Sequence, residues 1–231
     1  MGSCCSKHPN DVIMTDGEKN PNPNPIEANY GRNANAIVHP TEMSSKGIRP
    51  AFALPEVTDD VGKEVLKKIG DFRWDKLPKY EEKDLEKVGP IEFEANGAIY
   101  KGQMKHGMRH GQGTQVWKDG SRYEGEWKND KANGYGRLMH TDGDVYEGQW
   151  KNDTACGQGK YHHVQGAVYN GEWLDDCQHG EGREEWPDGT YYEGHYVGGK
   201  KEGKGKFFWV DGSYYHGEFR DNNINGKGRC G

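Results

Sequence analysis

The residues with the clearest chemical potential stand at the start of the chain, Met1-Gly-Ser-Cys-Cys-Ser-Lys7. Gly2 followed by Ser6 fits the acceptor pattern for an amide-linked myristoyl chain, and the thiols of Cys4 and Cys5 could take thioester-linked palmitate. One acyl chain holds a protein at a bilayer only marginally, so stable attachment needs a second lipid or a basic patch. Charge does not supply it, because residues 1–20 hold Lys7 and Lys19 against Asp11, Asp16 and Glu18. The spacing therefore points to dual acylation. With no secretory signal peptide ahead of it, it places the chain on the cytoplasmic face of a membrane, plasma or ciliary.

Other constellations are weaker on their own chemistry. Gly198-Gly-Lys-Lys-Glu-Gly-Lys204 matches most of a phosphate-binding loop, but Gly205 stands where Ser or Thr must hold Mg²⁺. The recurring Gly-x-Gly lacks the following helix and distal acid of a dinucleotide site. Cys156, Cys177 and His179 suggest zinc, yet Cys156 and His179 occupy equivalent places in successive repeats, two strands or ~9–10 Å apart, too far to share one ion. No Ser-His-Asp or paired-carboxylate set rises above the periodic background. The expectation is a non-enzyme with no cofactor and no metal.

The elements that position all these residues recur with a period of 23. Tyr100, Tyr123, Tyr146, Tyr169, Tyr192 and Tyr215 open the copies, each followed at +2 by Gly and at +4 by Met104, Trp127, Trp150, Trp173, Tyr196 or Phe219. A Gly-x-Gly follows eleven residues after each Tyr, and an Asp-Gly (Gln165-Gly166 in the third copy) closes each of the first five. Period-2 spacing puts Tyr, Gly and Trp on one face of a strand and Glu124, Glu126 and Lys128 on the other. Asp-Gly signals a type I′ hairpin turn, so each copy reads as one hairpin, and Gly beneath a ring lets the ring lie flat on the backbone. The predicted fold is all-β: an elongated, single-layer antiparallel sheet of stacked hairpins.

Composition agrees. Of 231 residues only 32% are hydrophobic, while 35 are Gly and 11% aromatic, and mean hydropathy is -1.12. Such a chain cannot enclose a thick aliphatic core, so burial falls to a thin layer of rings. Net charge is -6, and the repeats carry nearly equal numbers of acids and bases, which excludes a broad cationic surface for nucleic acid.

Tyr123-Glu-Gly-Glu-Trp-Lys-Asn129, with Gly134-x-Gly136 and Asp142-Gly143, resembles a MORN (membrane occupation and recognition nexus) repeat. The resemblance covers residues 100–231 in six copies starting at 100, 123, 146, 169, 192 and 215. A half copy precedes them, in which Phe93, Asn96-Gly97 and Ile99 hold equivalent places and Pro90 replaces the second Gly. Departures are Met104 in the aromatic column, Gln165 at a turn, and a sixth copy that stops at Gly231 with an exposed edge, so the native protein is expected to continue or the edge to be covered. The resemblance implies a groove that accepts a helix or extended segment of a partner protein. Anionic lipid binding, also proposed for such repeats, is weak here because the array is slightly acidic.

Three regions follow. Residues 1–50, with Pro21-Asn-Pro-Asn-Pro25, read as an acylated, largely disordered tether. Residues 51–88 hold a helix begun at Thr58-Asp59-Asp60, with Val61, Val65, Leu66 and Ile69 on one side and Gly70 as its stop. With Phe72, Trp74, Leu77 and Tyr80, this helix is expected to cap the N-terminal end of the sheet. Residues 89–231 form the array. The leading functional expectation is a non-enzymatic, membrane-anchored scaffold that recruits a protein through Tyr123, Trp127, Tyr146, Trp150, Tyr169, Trp173, Tyr192, Tyr196, Tyr215 and Phe219, whose rims stay exposed. The alternatives are the targeting portion of a larger phosphatidylinositol-phosphate kinase, or a structural ciliary or axonemal component.

Overall fold

The computed structural model of the chain describes residues 12–14, 47–51, 53–57, 60–77 and 84–231. The architecture is nearly all-β, antiparallel strands with one short α-helix, as the periodicity predicts. Two compact units divide it, residues 37–164 and residues 165–231 with the N-terminal segment.

In the first unit β2 (Ile48–Pro50), β3 (Glu86–Phe93), β4 (Ala98–Lys105), β5 (Met108–Val116), β6 (Arg122–Lys128), β7 (Lys131–Met139), β8 (Val145–Lys151) and β9 (Thr154–His162) pair in sequence order, each antiparallel to the next. In the second, β10 (Val168–Leu174), β11 (Cys177–Glu185), β12 (Tyr191–Val197), β13 (Lys200–Phe208), β14 (Tyr214–Arg220) and β15 (Asn223–Cys230) do the same. β3, in the segment read as a half copy, pairs with β4 along its length and carries a register shift between Val88 and Ile91.

In each unit the outermost array strand pairs with a short strand from the segment read as tether. β1 (Val12–Met14) pairs with β15, Ile13 opposite Lys227, and β2 pairs with β3, Arg49 opposite Glu92. The sixth copy thus forms its second strand, and its outer edge is partly paired. The rest of residues 1–46, with Gly2, Cys4 and Cys5, lies outside the described residues.

The turn chemistry differs from expectation. The two-residue turns with positive φ at both positions are His106-Gly107, Asn129-Asp130, Asn152-Asp153, Asp175-Asp176, Gly198-Gly199 and Asp221-Asn222. At Asp119-Gly120 only the Gly has positive φ; Gly120 N–H donates to the Trp117 carbonyl (3.0 Å), and the Asp119 carboxylate accepts from Ser121 N–H (2.9 Å). Asp-Gly closes a wider loop, with Asp as a local acceptor and not as a residue forced into the left-handed region. Gly198-Gly199 is such a tight turn, leading into strand β13, so the phosphate-loop match has no helix to open.

Candidate functional site

Within each hairpin the opening Tyr lies across a glycine pair. Gly125 stands opposite Gly136 and Gly148 opposite Gly159, and a Cβ built on Gly148 or Gly159 would come within 2.5 Å of Tyr146 Oη. With the glycines bare, the ring sits on the backbone and its hydroxyl reaches a carbonyl three residues on: Tyr123 to Glu126 (3.0 Å), Tyr146 to Gln149 (2.9 Å), Tyr169 to Glu172 (2.9 Å), Tyr192 to His195 (3.1 Å). The indole N–H of Trp127 and of Trp150 donates to Gly113 and Gly136 carbonyls, each at 3.0 Å. These phenol and indole groups thus find partners inside the layer.

The rings interlock edge to face. Trp150 meets Tyr123 at 5.4 Å and Tyr146 at 5.1 Å between centroids, and in the second unit Tyr196 meets Tyr169 at 5.1 Å and Tyr192 at 5.3 Å. Such pairs contribute about 0.5–1.5 kcal/mol each beyond area burial. The packing is close enough that none of Tyr123, Trp127, Tyr146, Trp150, Tyr169, Trp173, Tyr192, Tyr196, Tyr215 and Phe219 is more than 5% exposed. The expected open rims are absent, because interleaved rings and bare glycines close the layer by themselves. These residues are the core of the sheet. Burial accordingly pushes the phenol pKa of Tyr169, Tyr192 and Tyr196 up.

Two periodic polar features were present in the sequence and carry more weight than composition suggests. In the first four copies the residue three after the Tyr fills a bulge made by the first Gly of Gly-x-Gly: Gln103, Glu126, Gln149 and Glu172 accept from the backbone N–H of Gln112, Tyr135, Gln158 and Glu181, whereas His195 of the fifth leaves the space at Gly203 open. The second residue of the tight turn reaches back one repeat. Asp153 accepts from Ala132 N–H (2.7 Å) and returns its own N–H to the Ala132 carbonyl (2.9 Å), and Asn222 holds Lys201 in the same way. Recurrence of Gln/Glu and of Asn-Asp at fixed offsets was the available signal.

The opposite face of the first unit is occupied. α1 (Asp60–Ile69) buries Val65 against Met139 and Val145, with Val57, Leu66 and Ile69 around them. Arg137 of β7 donates to the Gly70 carbonyl at the end of α1 (2.8 Å) and to Glu147 (2.7 Å), and its guanidinium lies 5.6 Å over Phe72, which stacks on Tyr135. The helix expected as an N-terminal cap therefore lies on the second copy, where Met139 and Val145 supply an apolar pad. Its Thr58-Asp59 cap and Tyr80 lie outside the described residues.

Among the described residues no group of three or more His, Cys, Asp or Glu could hold a metal, Cys156, Cys177 and Cys230 form no disulfide, and no helix is long and apolar enough to cross a membrane. Lys201 is buried in an ion pair with Glu184 (2.8 Å), against Tyr196. The partner's location makes it a structural pair inside the ring layer.

A MORN repeat profile matches residues 100–122, 123–145, 146–168, 169–191, 192–214 and 215–230. No curated protein matches the chain. Among solved structures, the TCP domain of SAS-4 (dCPAP) of Drosophila melanogaster, in complex with a proline-rich motif of Ana2 (dSTIL), is 17% identical with a TM-score of 0.32, over 46% of this chain and 58% of that one. This chain thus spans less than two thirds of that domain. The wild-type TCP10 domain of Danio rerio CPAP, in complex with a peptide of Danio rerio STIL, is 11% identical with a TM-score of 0.28, over 59% of this chain and 71% of that one.

Proposed function

The chain belongs to the MORN repeat family, a repeat-based binding architecture, and on that premise we propose that it is a non-enzymatic scaffold, acylated at Gly2 and at Cys4 or Cys5, that recruits a partner protein to the cytoplasmic face of a membrane. The observation that carries the recruiting part is the seat of α1. This sheet already holds an amphipathic helix on the face opposite its ring layer, through Val65 on Met139 and Val145. A surface that orders a helix from its own chain has the shape and apolarity to order one from another. The ring residues act here as the rigid floor, and partner contact falls to the side chains of the outer faces.

Anchoring rests on the N-terminal sequence, whose two acyl acceptors answer the weakness of a single chain. Metabolic labelling with clickable myristate and palmitate should mark the wild type, lose both labels in Gly2→Ala, and lose palmitate in Cys4→Ser/Cys5→Ser. Proximity labelling from the intact protein should then recover a partner whose enrichment survives in the soluble Gly2→Ala form. Absence of both lipids would end the anchoring reading; absence of any saturable partner would end the scaffold.

A further inference from the structure

The face that carries α1 in the first unit repeats in the second, three copies or 69 residues downstream. Met139 becomes Phe208, Val145 becomes Tyr214, and Arg137 becomes Lys206. Under α1, Met139 and Val145 are 5% and 0% exposed, whereas Tyr214 is 38% exposed and Phe208 only half-buried. The adjoining turns differ likewise. A Cβ on Gly143 would lie 2.6 Å from Val61 of α1, while one on the equivalent Gly212 meets nothing within 4 Å, and Val210 beside it is 73% exposed.

The row itself is built for contact. Tyr191, Phe208 and Tyr214 are cross-strand neighbours. Tyr191 stacks on Phe208 at 4.5 Å between centroids, Phe208 meets Tyr214 at 5.9 Å, and the Arg183 guanidinium lies 3.7 Å over Tyr191. Beside this apolar row runs a second one, Glu193, Lys206, His216 and Arg229 in cross-strand order, in which Glu193 also pairs with Arg183 (3.5 Å) and the three basic side chains are exposed. In the first unit the corresponding row reads Arg137, Glu147 and Lys160, with a carboxylate where the second unit has His216, and the buried Arg137 guanidinium takes the carbonyl at the C-terminal end of the helix, the negative end of its dipole.

We infer that Tyr191, Phe208 and Tyr214 form a second helix seat, and that its occupant is an amphipathic helix of a partner protein whose C-terminal turn is acidic. The aliphatic stripe of that helix covers the three rings as Val65, Leu66 and Ile69 cover Met139 and Val145. Its terminal carbonyls and acidic side chains meet Lys206, His216 and Arg229. The chain's own α1 is a poor match, since its last turn carries Lys67 and Lys68. This inference rests on the scaffold reading and gives it a location.

The test uses the full chain and two synthetic peptides of about 15 residues, helical, with the same leucine stripe and a last turn of either Glu or Lys, followed by fluorescence anisotropy. The Glu peptide should bind about 10-fold tighter than the Lys peptide at low salt, with the gap closing as salt rises. Phe208→Ser with Tyr214→Ser should weaken it by about 10-fold, and Lys206→Glu should erase the preference. Both variants lie on an outer face, and circular dichroism checks that the sheet persists. Equal binding of both peptides, no binding, or affinity unaltered in the Phe208/Tyr214 variant overturns the assignment. Self-association abolished by Phe208→Ser also overturns it, by giving the row to a second copy. A proximity-labelled partner retained by that variant leaves the scaffold standing and removes only this seat.

Discussion

Tyr146 lies so closely on Gly159 that a methyl group added there would sit 2.5 Å from the phenol oxygen, an oxygen already committed at 2.9 Å to the Gln149 carbonyl. The same fit recurs in each copy between a Tyr and the second glycine of Gly-x-Gly, and it explains why ring and glycine share one period. Gly159 has no positive φ, so its requirement is for space alone. Gly159→Ala should therefore cost about 1–3 kcal/mol through overpacking, read as a lower urea midpoint with unaltered slope. Tyr146→Leu in the same chain should recover part of that loss, because the ring is what the methyl strikes. Additive effects in the double-mutant cycle would show that the two residues do not share this contact.

Trp150 makes a second kind of demand. Its ring is wedged edge-on between Tyr123 and Tyr146, and its N–H holds the Gly136 carbonyl at 3.0 Å. Trp150→Ala should cost about 3–5 kcal/mol by leaving a cavity in a layer one ring thick. Trp150→Phe should cost about 1–3 kcal/mol, mostly from the carbonyl left without its donor. If thermal denaturation placed both variants beside the wild type, the ring layer would not be the core. Loss of partner binding in Trp150→Ala therefore reports unfolding before it reports a contact.

How much of this was legible in the sequence varies with the kind of constraint. Ring and glycine positions could be read because every copy must bury the same thin layer, and that forces strict recurrence at Tyr146, Gly148 and Trp150. The tight turn was read at Asp142-Gly143 and not at Asn152-Asp153, since Gly is the usual carrier of positive φ. What holds Asp153 there is its bond to Ala132, 21 residues upstream, a tertiary term that local preference does not contain. Exposure of the rings could not be judged, because spacing reveals which side chains share a face and says nothing of how tightly they interleave. The seat of α1 left only a faint trace: Met139 and Val145 are apolar where Arg122 and Glu185 stand in other copies.

Burial of so many phenols sets a pH limit. Desolvation favours the neutral form of Tyr100, Tyr169 and Tyr192, and pushes Tyr135, which also donates to Glu147, up to about 12. A folded-state value above the ordinary 10 means a contribution fully present below pH 10 and lost as pH rises through the folded value. Stability should decline from pH 10 upward, with tyrosinate absorbance appearing together with loss of the sheet signal. Tyrosinate forming near pH 10 on an intact sheet would contradict the buried layer. At the acid end His162, held to about 4 by burial, contributes above its unfolded value near 6.5 and loses that contribution between pH 6.5 and 4.

Arg137 decides whether α1 stays on the sheet. It joins the C-terminal carbonyl of that helix at Gly70 to a strand carboxylate, Glu147, while Phe72 packs on its guanidinium. Arg137→Ala removes all three contacts and leaves Glu147 without this pair, whereas the ring layer on the opposite face keeps every neighbour. The expected result is selective: residues 57–77 become open to limited proteolysis and amide exchange, while the global unfolding midpoint falls by the equivalent of about 1–3 kcal/mol. Arg137→Lys should restore charge without the forked geometry and so recover only part of the protection. If the segment remained protected in Arg137→Ala, Val65, Leu66 and Ile69 would suffice to seat a helix on this face, and the basic row of the second unit would then govern only which helix it prefers.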